Sequence, residues 1–84
     1  MAVSEIKKVD KFNYMLLSRL EMDCKFYLGF GNRQTSRLWA NNEQDHINKM
    51  KELYHLMPYH QRPQWLSETI IKYYAKKMNV KYKI

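Results

Sequence analysis

Phe12, Leu16, Leu20, Cys24 and Leu28 recur at every fourth position. That period commits residues 11–28 to an α-helix with one continuous apolar row. Leu17 and Tyr27 widen the row, while Met15, Met22 and Phe26 lie on the other side. A helix that is apolar over more than one face belongs at the centre of a fold, so this one is expected to be covered by the others. Asp10 is placed to cap its first turn, and Gly29 to end it in a left-handed conformation.

The rest of the chain supplies what would cover it. Gly29-Phe30-Gly31-Asn32-Arg33 reads as a short defined turn, since two glycines in three residues permit positive φ and asparagine supports local hydrogen bonds. Gln34 to Ala40 is expected to form a brief helical turn that tucks Leu38 and Trp39 onto the core. Asn41 or Asn42 then caps a helix running to about Met57, with Ile47, Met50, Leu53, Tyr54 and Met57 in one stripe. Glu43 and Asp45 suit its positive end. Pro58 stops it, and a polar loop with His60 and Arg62 leads to Pro63. Ser67 caps a last helix over 67–78, with Leu66, Ile70, Tyr74 and Met78 facing inward and Lys72 and Lys76 outward. Trp65 can close the end of the core.

The tail changes period. Val80, Tyr82 and Ile84 alternate with Lys81 and Lys83, as in a half-buried strand, which could pair with a strand among Val3–Val9 or with another molecule. The chain is thus expected to be mainly α: a compact three- to four-helix single domain over 1–84, with short terminal β-strands as an option. The ends, 1–9 and 79–84, are expected to be short and extended or flexible.

Eighty-four residues is near the lower end of what folds alone, so the core must be efficient. Six methionines and a 14% aromatic content offer large buried areas at little length. Net charge is +7 and uneven. No acid lies between Asp23 and Glu43 or after Glu68. These two stretches hold Arg33 and Arg37, then Lys72, Lys76, Lys77, Lys81 and Lys83, and those seven residues are the candidate partner-binding surface. The competing reading is that the lysines only keep an apolar domain in solution. Phe30, Tyr59 and His60 are the next candidates for an interface.

Chemistry is poorly served by the remaining residues, and no catalytic, cofactor-binding or metal-binding residue is assigned. His46 and His55 are nine residues apart on one helix, roughly 13 Å along its axis, and cannot share an ion. Cys24 lies on the apolar row, where a thiol acts as a small hydrophobe. The glycine pair lacks the preceding strand and following Gly-Lys-Ser/Thr of a phosphate loop. Asp23, mid-helix, is expected to pair with Arg33 or Arg37 or to accept backbone bonds from the turn. A single cysteine fits a reducing compartment, and no apolar run approaches membrane-spanning length or forms a signal peptide.

The segment from Asn13 to Arg33, Arg37-Leu38-Trp39-Ala40, Ile47 to Met50, Leu53, Met57-Pro58, Pro63 to Leu66 and Ile70 to Tyr73 together resemble a family among the large polyvalent protein-associated domains of phages and conjugative elements. Members occur alone or as accessory modules of much larger proteins. The resemblance bounds a module-like part, 12–78, implies a compact helical unit of mobile-element origin and brings no catalytic residue. Together with the charge it suggests a non-enzymatic binding protein in the bacterial host cytoplasm, with no cofactor and no membrane contact, as a monomer or weak dimer. The expected partner is a host protein or ribonucleoprotein, with an anti-CRISPR-like inhibitor of an RNA-guided nuclease as the sharpest form. The alternative is a stand-alone nucleic-acid-binding accessory module.

Overall fold

The computed structural model describes residues 2–82, with side chains from Lys11 onward. Three helices appear in chain order: α1, Ala2–Leu28; α2, Glu43–Leu56; and α3, Glu68–Lys77. Short 3-10 turns, Trp39–Asn41 and Tyr59–Gln61, sit in the two connections.

α1 starts well before the expected residue 11, so Asp10 lies inside it rather than capping it, and the strand considered among Val3–Val9 is helix instead. The local chemistry agrees: Ala2, Glu5, Lys7 and Lys8 are good helix formers, and neither Gly nor Pro interrupts the run. At the other end no strand forms among the described residues. Asn79 takes the left-handed conformation (φ 61) that usually falls to glycine after a helix. Val80 N–H then donates back to the Ala75 carbonyl at 3.0 Å, which closes α3. Lys83 and Ile84, the rest of the expected tail strand, lie outside the described residues.

Two of the three predicted caps are in place. The Asn42 side chain accepts from Asp45 N–H, and the Ser67 side chain accepts from Ile70 N–H. Each satisfies a helix N–H that would otherwise lack a partner. The C-terminal end of α2 is served differently. Arg62 Nε donates to the carbonyls of Tyr54 (3.0 Å) and Met57 (3.2 Å), and its guanidinium stacks 4.8 Å from the Tyr54 ring. A loop arginine thus completes a helix end that Pro58 only stops.

The core joins Leu17, Leu20, Cys24 and Tyr27 of α1 to Ile47, Met50 and Leu53 of α2 and Ile71, Tyr74 and Ala75 of α3. Leu38, Met57, Leu66 and Met78 fill the space between elements. α2 packs against both other helices and the first 3-10 turn, so α2, not α1, is the central helix. The consequence for α1 is a bare side. Phe12, which opened the expected core row, is 66% exposed, and Met15 and Met22 are exposed as well. On α3, Ile71 is the fully buried isoleucine and Ile70 only half-buried. Tyr74 and Met78 face inward as expected.

Three tyrosine–glutamate bonds tie the elements together. Tyr27 OH donates to Glu43 at 2.6 Å, joining α1 to α2, and Tyr74 OH donates to the buried Glu21 at 2.8 Å, joining α3 to α1. Tyr82 OH donates to Glu68 at 3.0 Å, fastening the tail to α3, and Glu68 also meets His55 Nε2 at 2.9 Å. Gln44 adds a second tail anchor: its Nε2 donates to the Lys81 carbonyl (2.8 Å) and its Oε1 accepts from Lys81 N–H (3.1 Å).

Candidate functional site

The turn after α1 sets up the basic surface. Gly31 N–H donates to the Phe26 carbonyl at 2.7 Å and Arg33 N–H to the Tyr27 carbonyl at 2.8 Å. Neither glycine has positive φ; that conformation falls to Asn32 (φ 48) and Arg33 (φ 64). Gly31 is required for space instead, because a Cβ there would come within 2.5 Å of the Phe26 ring and 2.7 Å of its carbonyl oxygen. Gly29 likewise does not take the left-handed conformation expected of it.

This packing presents two arginines on neighbouring rings. The Arg37 guanidinium lies 4.1 Å from the Phe26 ring centroid and that of Arg33 5.7 Å from Tyr27. Such stacking orients a cation without neutralising it. Arg33 also stands near Glu43, whose carboxyl is held below its ordinary pKa chiefly by the Tyr27 hydrogen bond.

On α3, Lys72, Lys76 and Lys77 are all exposed. Lys72 approaches the Tyr82 ring (5.5 Å) and Lys77 the Tyr73 ring (5.5 Å). Lys51 of α2, which sequence reasoning passed over, joins Lys72 at Tyr82 from 5.3 Å. Lys81 is exposed with its backbone held by Gln44, and Lys83 lies outside the described residues. Contacts link Arg33 to Tyr27, Tyr27 to Glu43, its neighbour Gln44 to Lys81, and the adjacent Tyr82 to Lys72. Two acids, Glu43 and Glu68, interrupt this route. Arg37 turns the other way, towards the bare side of α1.

There it borders a cleft of about 760 Å³ between α1 and the segment leading to the 3-10 turn, lined by Met15, Ser18, Arg19, Met22, Asp23, Ser36 and Arg37. A smaller hollow shares Arg19, Asp23 and Arg37 and continues to Trp39. Trp39 was expected in the core and is 40% exposed, with Lys49 Nζ 5.0 Å from its ring. Asp23 forms no ion pair among the described residues, contrary to the pairing expected with Arg33 or Arg37, and the amides of Gly29, Gly31, Asn32 and Arg33 bond the Phe26, Tyr27 and Gly29 carbonyls instead of it.

The wall carrying Trp39 is fixed by His46, which is fully buried. Its Nδ1 accepts from Trp39 N–H at 2.8 Å, so Nε2 bears the proton and donates to the Leu20 carbonyl, also at 2.8 Å. Burial pushes the imidazole pKa below its ordinary 6.5, which keeps it neutral. Sequence reasoning weighed His46 only as a metal ligand. The available signal was its position, four residues before Met50 and seven before Leu53, on the buried stripe.

Cys24 is buried as expected. Its thiol contacts Met50 Sδ at 3.4 Å, and burial, reinforced by Glu21 and Asp23, pushes its pKa far up, so it stays protonated. Among the described residues no three His, Cys, Asp or Glu side chains converge as metal ligands. No described helix is long and apolar enough to cross a membrane.

Three packed helices with an open, arginine-bordered cleft define a small helical domain. The chain belongs to the family of large polyvalent protein-associated domain 11, whose model matches residues 10–78. No curated protein and no solved structure matches it.

Proposed function

We propose that the domain acts by contact rather than by turnover, as a small binding protein of phage or mobile-element ancestry whose basic surface engages a polyanionic or acid-rich host target. What supports the reading is the state of its cations. Arg33, Arg37, Lys72 and Lys77 rest on aromatic rings, and none has an ion-pair partner among the described residues. Held in place yet not neutralised, they keep their charge for a partner and lose little freedom on binding.

In its sharpest form the target is a host-defence ribonucleoprotein, an RNA-guided nuclease, which exposes both RNA phosphates and charged protein channels. Family membership supports the mobile-element origin and the net charge supports the kind of surface sought. Replacing Lys72, Lys76 and Lys77 by Glu should leave melting nearly unchanged, because all three are exposed. Binding should weaken, and the slope of log affinity against log salt should shrink by up to about 0.9 for each phosphate that the variant no longer neutralises. Unaltered affinity at low salt would reduce the lysines to solubilising groups. Capturing the target with and without nuclease treatment separates an inhibitor of the protein machine, whose partner survives, from a nucleic-acid-binding module, whose partner does not.

A further inference from the structure

The side of α1 turned away from α2 carries Phe12, Met15 and Met22, and the methionines are 61% and 63% exposed. Spacings of three and seven residues put the three side chains in one row. The row covers about 15 Å of helix axis, three turns. Large flexible thioethers left in water along such a row make a surface that adapts to apolar side chains.

The rim of this bed is positive. Arg19 lies within it and Arg37 across from it, the latter fixed on Phe26, and neither has an ion-pair partner among the described residues. Lys49 stands over Trp39 on the far wall, though Glu52 already meets it at 3.1 Å. Asp23 is the one carboxylate in the lining, and it disfavours a continuous polyanion along the floor. A second copy of this chain would bring two +7 molecules and like-charged rims together, which self-repulsion opposes.

We propose that this cleft, together with Phe12 just beyond it in the same row, docks an amphipathic helix of a partner protein, with apolar side chains at i, i+3 and i+10 on Phe12, Met15 and Met22 and acidic residues on its flanks meeting Arg19 and Arg37. Helix-in-groove recognition reads such a row through that spacing, and the rim selects acidic flanks over basic ones. The surface shares only Arg37 with the polyanion-binding set, so the two readings stand or fall separately.

The test uses the full chain and a labelled helical peptide of about 15 residues with leucines at i, i+3 and i+10 and glutamates on both flanks. A companion peptide carries lysines in place of the glutamates. The acidic peptide is expected to bind and to shift the methyl resonances of Met15 and Met22, and the basic one is not. A Met15→Ser/Met22→Ser double variant, unchanged in net charge and altered only at exposed positions, should weaken binding by about tenfold or more. The Lys72→Glu/Lys76→Glu/Lys77→Glu variant should bind the acidic peptide within about twofold of wild type, whatever becomes of its polyanion binding. Equal binding of the basic peptide, or undiminished binding by the methionine variant, overturns the proposal. So does a wild-type dimer that the methionine variant dissolves, which gives the face to a second copy, or a single-stranded RNA that displaces the peptide from the methionine row.

Discussion

His46 is the residue at which α1, α2 and the first 3-10 turn meet. Its two ring nitrogens, one accepting from Trp39 N–H and one donating to the Leu20 carbonyl, are both committed only while the ring is neutral. A second proton would leave Trp39 N–H facing another donor. Because the folded pKa lies below the ordinary 6.5, this contribution is complete above that value and is lost as pH falls from there towards the folded pKa. Melting temperature should therefore decline below about pH 6.5 in wild type, and the decline over that window should shrink in His46→Gln. An identical pH profile in both would remove His46 from this role. Leu20 and Trp39 separate in the same way by packing. Leu20→Ala opens a cavity in the core and should cost about 2–5 kcal/mol in chemical denaturation. Trp39→Ala removes a side chain that is 40% exposed and should cost less than about 2 kcal/mol. The apolar identity of Trp39 was plain in the sequence, but its depth was not. Depth depends on Ala40 and Asn41, both left-handed at φ 55 and 53, which turn the chain and leave the indole at the cleft wall.

At the scale of elements, the close of α1 rests on one missing Cβ. Gly31→Ala would force the Phe26 ring and carbonyl aside, and the ring is also the platform for Arg37. The expected loss is about 1–3 kcal/mol in denaturant unfolding, the range for overpacking, together with a looser Arg37 visible as line broadening of its side-chain resonances. A variant as stable as wild type would show that the turn can relax at no cost. The starts of α2 and α3 were legible because capping is local: Asn42 and Ser67 stand at the ends of apolar periods, and the sequence states both signals within a few residues, whereas the same kind of signal at Asp10 misplaced the start of α1. The helix ends were legible in place, falling at Leu28, Leu56 and Lys77, but the way they are closed was not. Asn32, Arg33 and Asn79 adopt left-handed backbone without being glycine, and Arg62 serves α2 from beyond its proline. Those arrangements are settled by tertiary neighbours that no short window contains. The same holds for which face of α1 is covered. Its rows of apolar residues were visible on two sides, but only the position of α2 decides which one is buried, and that decision creates the candidate cleft.

For the molecule as a whole, charge and cohesion are arranged on different groups. The tyrosine–glutamate bonds that join α1 to α2, α3 to α1 and the tail to α3 involve none of the seven proposed binding cations. The surface can therefore change without unfastening the helices, which is why the triple lysine reversal is expected to separate affinity from stability. The candidate basic residues were legible by composition, while their division between two faces, with Arg37 apart from Arg33, followed from the turn at Gly31. Gln44 carries a further consequence. Backbone that follows a helix without a partner of its own leaves amides and carbonyls that another group can pair with. The Gln44 side-chain amide is that group, giving and taking one bond each at Lys81. Gln44→Ala would reopen that position. Hydrogen exchange at the Lys81 amide should then be faster in the variant than in wild type, and an unchanged rate would mean that Gln44 does not hold the tail.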